Sequence, residues 1–160
     1  MNEKIIKARV DQITPLTDSI MQLILAPDNF VPYQAGQYLQ ILLGDEAFSY
    51  SIANAPLGAR NYELHIRHSQ ENLYTQQLFA HIKKYGSVML SLPFGTCCID
   101  ALDQNRPILF IAAGTGFAPV KAMIEQLLSS ADQRRFELFW AARMHSALYM
   151  DERVASWQAH

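Results

Sequence analysis

Two short stretches hold the residue types that could do chemistry. In the first, a nearly continuous apolar run from Ile108 to Ala113 ends at Gly114-Thr115-Gly116, and a helical pattern begins straight after it. The two glycines can take backbone angles closed to other residues and keep side chains out of a ligand's way. Pro119 suits a first helical turn, and Val120, Met123, Ile124, Leu127 and Leu128 recur at helical spacing. The first N–H groups of such a helix lack internal partners and carry the positive end of its dipole, so the turn can hold a phosphate or pyrophosphate. Gly-Thr-Gly is not the full GxGxxG fingerprint and lacks the lysine of a P-loop. On these residues alone, a nucleotide turn and a plain strand-to-helix turn stand side by side.

The second stretch is Ala47 to Pro56, AFSYSIANAP. A strand here presents Ser49, Tyr50 and Ser51 to alternate faces and then passes into small Ala53 and Ala55. A flat aromatic ligand could lie on it, bordered by Tyr50 and hydrogen-bonded by Ser51. A Ser/Tyr-rich strand ending in an Asn-Ala-Pro turn explains the same residues without a ligand.

The elements that must position these stretches fall into two groups. Up to about residue 102, strand signals come at close intervals: Ile5 to Val10, Ile20 to Leu25, Gln37 to Leu43 and Val88 to Leu92. Tyr62, Leu64 and Ile66 alternate with Glu63, His65 and Arg67, which predicts a strand with one wet face. Leu73, Leu78, Phe79 and Ile82 place one helix over Asn72 to Lys84, closed by Tyr85-Gly86. Antiparallel strands in this number predict a small barrel or sandwich. From residue 103 to 160 the pattern becomes that of a parallel α/β sheet: strand 108–113, helix 117–130, strand 136–141 and a helix from Leu148 to Trp157 with Ser146 as a possible cap. The strand at 108–113 reads as buried on both faces. Two parallel strands and two helices do not cover both faces of a doubly wound sheet, so this second unit is expected to be incomplete.

Composition excludes several classes. With 160 residues, 50% hydrophobic and 18% charged, the chain can bury a real core. A formal net charge of -2 without a basic patch argues against nucleic acid or an anionic membrane as partner. The N-terminus has no uncharged secretory core and no run reaches the ~20 apolar residues of a span, so a cytoplasmic protein without a membrane span is expected. Adjacent Cys97 and Cys98 read as half-buried residues at a strand end. His68, His81, His145 and His160 show no ligand spacing and read as surface or packing residues; no metal site is expected. Asp151-Glu152 reads as a solvated helix face, while Tyr33, Tyr38 and Tyr74 read as core or barrel-rim residues.

Taken together, AGQYLQI, YSIANAP, YELHIR, LPFGT and LFIAAGTGFAPVKAMIEQLL, in this order, resemble the ferredoxin-NADP reductase superfamily. The likeness is greatest to its bacterial flavin reductases and to reductase components serving oxygenases or deoxysugar enzymes. It implies a flavin-binding antiparallel β barrel over residues 1–102, followed over 103–160 by the first part of an NAD(P)-binding α/β domain. The implied activity is NAD(P)H-dependent flavin reduction, with hydride passing from nicotinamide to flavin N5. The flavin would be FAD, FMN or riboflavin, and the donor NADH or NADPH.

The resemblance also implies roles. Tyr50 matches the aromatic beside the flavin ring, and Ser51 the hydroxyl on flavin N5. Ile52 and Ala53 continue along the ring, and His65, Ile66 and Arg67 line its ribityl and phosphate side. Tyr74 is placed near the flavin. Gly114, Thr115 and Gly116 match the turn facing the NAD(P) pyrophosphate and nicotinamide. Arg143, in Trp140-Ala141-Ala142-Arg143, matches an adenosine-side contact. Ser51 and Thr115 are the catalytic candidates, acting by position.

Two departures stand out. Phe48 occupies a place usually held by an arginine that pairs with the flavin phosphate, and Ser69-Gln70-Glu71-Asn72 replaces a glycine-containing pyrophosphate turn. Each charge-assisted bond lost is worth about 1.5–3 kcal/mol, which favours a loosely held flavin used as substrate. The alternatives are a flavin module passing electrons to a partner iron-sulfur protein or oxygenase, and a catalytically silent scaffold.

Overall fold

The computed structural model describes residues 3–158. Six antiparallel strands come first: β1 (Lys4–Thr17), β2 (Ile20–Pro27), β3 (Tyr38–Leu43), β4 (Glu46–Ser51), β5 (Tyr62–Arg67) and β6 (Ser87–Phe94). They form one sheet in the order β4-β3-β6-β1-β2-β5. Register shifts between Val10 and Gln12 and between Pro15 and Thr17 bend the long β1, as bulges do, and help the sheet curl on itself. The curl brings the two outermost strands, β4 and β5, together without a ladder between them; the chain just past β4 meets β5 through a backbone bond from Ala53 N–H to the Glu63 carbonyl, 2.7 Å. The expected barrel is therefore barrel-like but open along the β4–β5 seam. Leu23, Leu25, Leu39, Ile41, Tyr62, Leu64, Ile66, Leu90 and Leu92 fill it.

Helix α1 (Leu73–Tyr85) closes one end of this lobe by burying Leu78 and Ile82. The Asn72 side chain caps it by accepting from the Tyr74 and Thr75 N–H groups, and Gly86 ends it in the left-handed conformation. Leu73, expected on the buried stripe, is exposed because it is the helix's first residue, beyond the core. Gly36 is required where the lobes meet: a Cβ there would lie 2.0 Å from the Cys97 carbonyl oxygen, and its φ is +102°.

The second lobe contains β7 (Ile108–Ala113), a 3-10 turn (Gly114–Gly116), α2 (Phe117–Ser129), β8 (Phe136–Ala141) and α3 (Asp151–Trp157). Strands β7 and β8 are parallel, with Ile108 opposite Phe136. Three expectations are corrected. β7 buries Ile108, Phe110 and Ala112 but leaves Leu109 (58%) and Ile111 (74%) exposed, because helix covers only one face of the described sheet. The last helix starts at Asp151, not Leu148: Leu148 sits at φ −81°, ψ 70°, outside helical space, and Ser146 lies in a separate 3-10 turn without capping. Cys97 and Cys98 follow β6 in a loop, one exposed and one buried, rather than sharing a strand end. Among the described residues no helix is long and apolar enough to cross a membrane.

Candidate functional site

The candidate flavin residues lie along the open seam. Cross-strand pairing sets Tyr50 opposite Leu39 and Phe48 opposite Ile41, so both aromatics share the inward face, while Ser51 pairs with Tyr38 on the other. Tyr50 is half-buried, and burial pushes its phenol up. Ile52 and Ala53 are fully buried, with their N–H groups donating to the Gln37 and Glu63 carbonyls. Across the seam Ile66 points into the core and Arg67 is exposed. Tyr74 on α1 is 54% exposed, its ring 5.3 Å from that of Phe48. An aromatic pair thus occupies the place where the resemblance leads one to expect a cation.

The candidate nucleotide turn lies on the second lobe. Gly114 has φ +53°, and a Cβ added at Gly114 or Gly116 would meet nothing within 4 Å, so the turn opens to solvent. No acidic residue occupies the first turn of α2, which leaves its positive end uncompensated. The turn is held from behind: the Trp140 indole N–H donates to the Gly114 carbonyl at 3.0 Å, and its ring stacks on Phe117 at 3.9 Å between centroids. Arg143 follows the end of β8 and is exposed, at the C-terminal edge of the parallel strands, where open α/β sheets bind ligands.

Between the two sites runs a buried polar network that the wet-face expectation missed. Glu63 and His65 are buried because α2 and Tyr149 cover the face of β5 from which they project. Glu63 accepts from His65 Nε2 at 2.8 Å, from Gln22 at 2.8 Å and from Lys121 at 3.3 Å. With Nε2 donating to a carboxylate, His65 Nδ1 accepts from the Tyr149 hydroxyl at 2.9 Å. Lys121, only 5% exposed, also donates to Glu125 and to the Ala53 carbonyl, and Arg153 completes the set on Glu125.

An "Oxidoreductase NAD-binding domain" family model matches residues 110–160. The NAD(P)H-flavin reductase of Aliivibrio fischeri is 31% identical over 162 residues, which cover 97% of this chain and 68% of that protein. The chain belongs to the ferredoxin-NADP reductase superfamily. A second relative in it, the CDP-6-deoxy-L-threo-D-glycero-4-hexulose-3-dehydrase reductase of Yersinia pestis, is 38% identical over 83% of this chain. The chain spans 40% of that relative's length. The solved ferredoxin-NADP+ reductase from Plasmodium falciparum shares the fold, with a TM-score of 0.81 at 18% identity over 98% of this chain and 65% of that one.

Within this reductase fold the site residues separate into groups. Tyr50, Ser51, Tyr74 and Arg67 keep accessible surface near the seam, and Gly114, Thr115, Gly116 and Arg143 keep it on the second lobe. Ile52, Ala53 and Ile66 have buried side chains and offer no side-chain surface to a ligand. His65 departs furthest from the lining role the resemblance implied: both ring nitrogens are engaged within the protein.

The network also predicts an acid response. Burial raises a carboxyl, but the His65 bond, the Lys121 charge and the Gln22 bond outweigh it and hold Glu63 at about 2, against ~4.3 for a free glutamate. A depressed folded value contributes stability that is complete above about pH 4.3 and lost as the pH falls towards 2, on the order of 3 kcal/mol in all. Urea unfolding between pH 6 and 2.5 should therefore show a steeper loss in the wild type than in Glu63→Gln. Equal slopes would contradict the assignment.

Proposed function

We propose that this chain carries the flavin-binding unit (1–102) and the first part of the NAD(P)-binding unit (103–160) of an NAD(P)H-dependent flavin oxidoreductase. The bound groups supply the redox chemistry, hydride moving from nicotinamide C4 to flavin N5, and the protein supplies alignment. One observation carries the reading: the Ala53 carbonyl, two residues past Ser51, is hydrogen-bonded at 3.0 Å by Lys121 of the helix that begins at the Gly114–Gly116 turn. The aromatic-hydroxyl edge strand and the open glycine turn are thereby tied together, and β5 lies against that turn.

The residues fit both groups. The glycine turn leaves room for a phosphate, with uncompensated helix N–H groups beside it. The open seam offers Tyr50 to border a flat ring and the Ser51 hydroxyl to hydrogen-bond its N5. Thr115 holds the nicotinamide within reach, and Arg143 takes the adenosine side. Phosphate recognition on the flavin side is thin, because Phe48 packs on Tyr74 and Asn72 is spent capping α1. A loosely held flavin, used as substrate, follows. A cytoplasmic setting belongs to the same proposal, in keeping with the free thiols of Cys97 and Cys98.

The second reading is a reductase component that keeps its flavin and passes electrons to a partner protein; the 38% identity to a dehydrase reductase favours it. Gel filtration followed by an NAD(P)H oxidation assay decides. Colourless protein that oxidises NADH or NADPH only with added riboflavin or FMN supports the first reading, and yellow protein the second. Protein that neither binds flavin nor oxidises NAD(P)H overturns both. In active protein Ser51→Ala should lower the saturated rate about tenfold, the worth of one hydrogen bond, with unchanged melting. An unchanged rate removes Ser51 from its role.

A further inference from the structure

Helix α2 is the most buried element of the second lobe, and Lys121 lies in its middle between buried Val120 and Ala122. A buried lysine is costly unless every donor is used and its charge is met. Lys121 meets both conditions, with bonds to the Ala53 carbonyl (3.0 Å), Glu63 (3.3 Å) and Glu125 (3.2 Å). Glu63 and Glu125 are balanced by Lys121 and Arg153, so the cluster is neutral when His65 is uncharged.

The bonds close on one peptide. Ala53 N–H donates to the Glu63 backbone carbonyl at 2.7 Å, and the Ala53 carbonyl accepts from Lys121, which itself binds the Glu63 carboxylate. The β5 backbone thus holds the Ala53 N–H, and the Lys121 ammonium, itself fixed by the Glu63 carboxylate, holds the Ala53 carbonyl. Ser51 lies two extended residues away, ~7 Å along the chain. Thr115 lies six residues before Lys121, ~9 Å if the helical rise of α2 is carried back through the turn. A stiff helix and a fully bonded strand end therefore meet at a single cation.

We propose that Lys121 and Glu63 are positioning residues, a latch that sets the spacing between the flavin edge at Tyr50-Ser51 and the nucleotide turn at Gly114–Gly116. The proposal rests on the oxidoreductase reading for its consequence. Both side chains are buried and spent on protein partners, so the latch governs how well the two rings are aligned and not how tightly either is bound. A displacement of about 1 Å between reacting groups can cost on the order of a hundredfold in rate.

The test uses the full chain and the double variant Lys121→Met/Glu63→Gln. Removing both partners leaves Glu125 paired with Arg153 and no orphaned charge, and such replacements are often neutral for stability, whereas Lys121→Met alone strands the buried Glu63 carboxylate. The double variant should melt within a few degrees of the wild type and keep its flavin and NAD(P)H dissociation constants within about twofold. Its hydride-transfer rate at saturation of both should fall ten- to a hundredfold. A saturated rate within twofold of the wild type, or a loss confined to the dissociation constants, overturns the latch. Hydrogen exchange without any ligand gives an independent arm: the Ala53 amide should exchange at least about tenfold faster in the double variant, and unchanged exchange overturns the proposal. If the wild type proves inactive with every flavin, the functional reading fails, and the exchange arm still decides whether the latch exists.

Discussion

Gly114→Val should abolish NAD(P)H oxidation, by about a hundredfold or more in kcat/KM, while the protein still folds and binds flavin. Two effects act together. Gly114 sits at φ +53°, a region that costs a β-branched residue on the order of 1–2 kcal/mol. The new side chain would also project into the open space where the pyrophosphate is proposed to lie. No atom lies within 4 Å of a Cβ at this position, so the damage falls on the ligand and not on the core. Isothermal titration with NADH and NADPH and flavin fluorescence quenching measure the two bindings separately. Retained dinucleotide affinity would show that the turn is only a strand-to-helix connection. Loss of flavin binding as well would show that the substitution had disturbed the whole fold.

Trp140→Ala should destabilise the second lobe strongly, at about 3–5 kcal/mol. The indole stacks on Phe117 at 3.9 Å and 12°, meets Tyr149 edge-on at 5.1 Å, and donates to the Gly114 carbonyl at 3.0 Å. Truncation removes the stack, opens a cavity and frees the carbonyl that holds the glycine turn. Tyr149 then loses a neighbour while still bonded to His65, so the effect reaches the first lobe. A loss of this size lowers the melting temperature by roughly 10 °C in a domain of this length. Trp140→Phe keeps an aromatic stack and loses only the indole bond, about 1 kcal/mol. Differential scanning calorimetry orders the three proteins. An alanine variant no less stable than the phenylalanine variant would mean that Trp140 does not anchor the turn.

Trp140 illustrates what pattern alone leaves open. Its sequence context assigns it no role beyond preceding Arg143, yet its ring packs half-buried against the core and its N–H holds the glycine turn. His65 is a sharper case. Glu63, His65 and Arg67 alternate with apolar residues as a solvated face does, and nothing in that alternation says whether a second layer covers them. Lys121 and Glu125, four apart on α2, have the spacing of an exposed helical ion pair, yet Lys121 is buried and is the counter-charge that Glu63 and Glu125 share. Spacing reports which residues share a face, whereas burial depends on what packs there.

The amino-acid order by itself determined the elements: the closely spaced strands, the Asn72-capped helix ending at Gly86, and the strand, glycine turn and helix around Gly114–Gly116. These are local, set by periodicity, caps and backbone freedom within a few residues. Only the tertiary structure decided that the sheet stays open between β4 and β5, that helix covers a single face of β7, and that Ala53, Glu63 and Lys121 converge. The physical reason is range. A hydrogen bond spanning 68 residues of sequence exists only after both lobes have packed, and no local pattern encodes the distance between them.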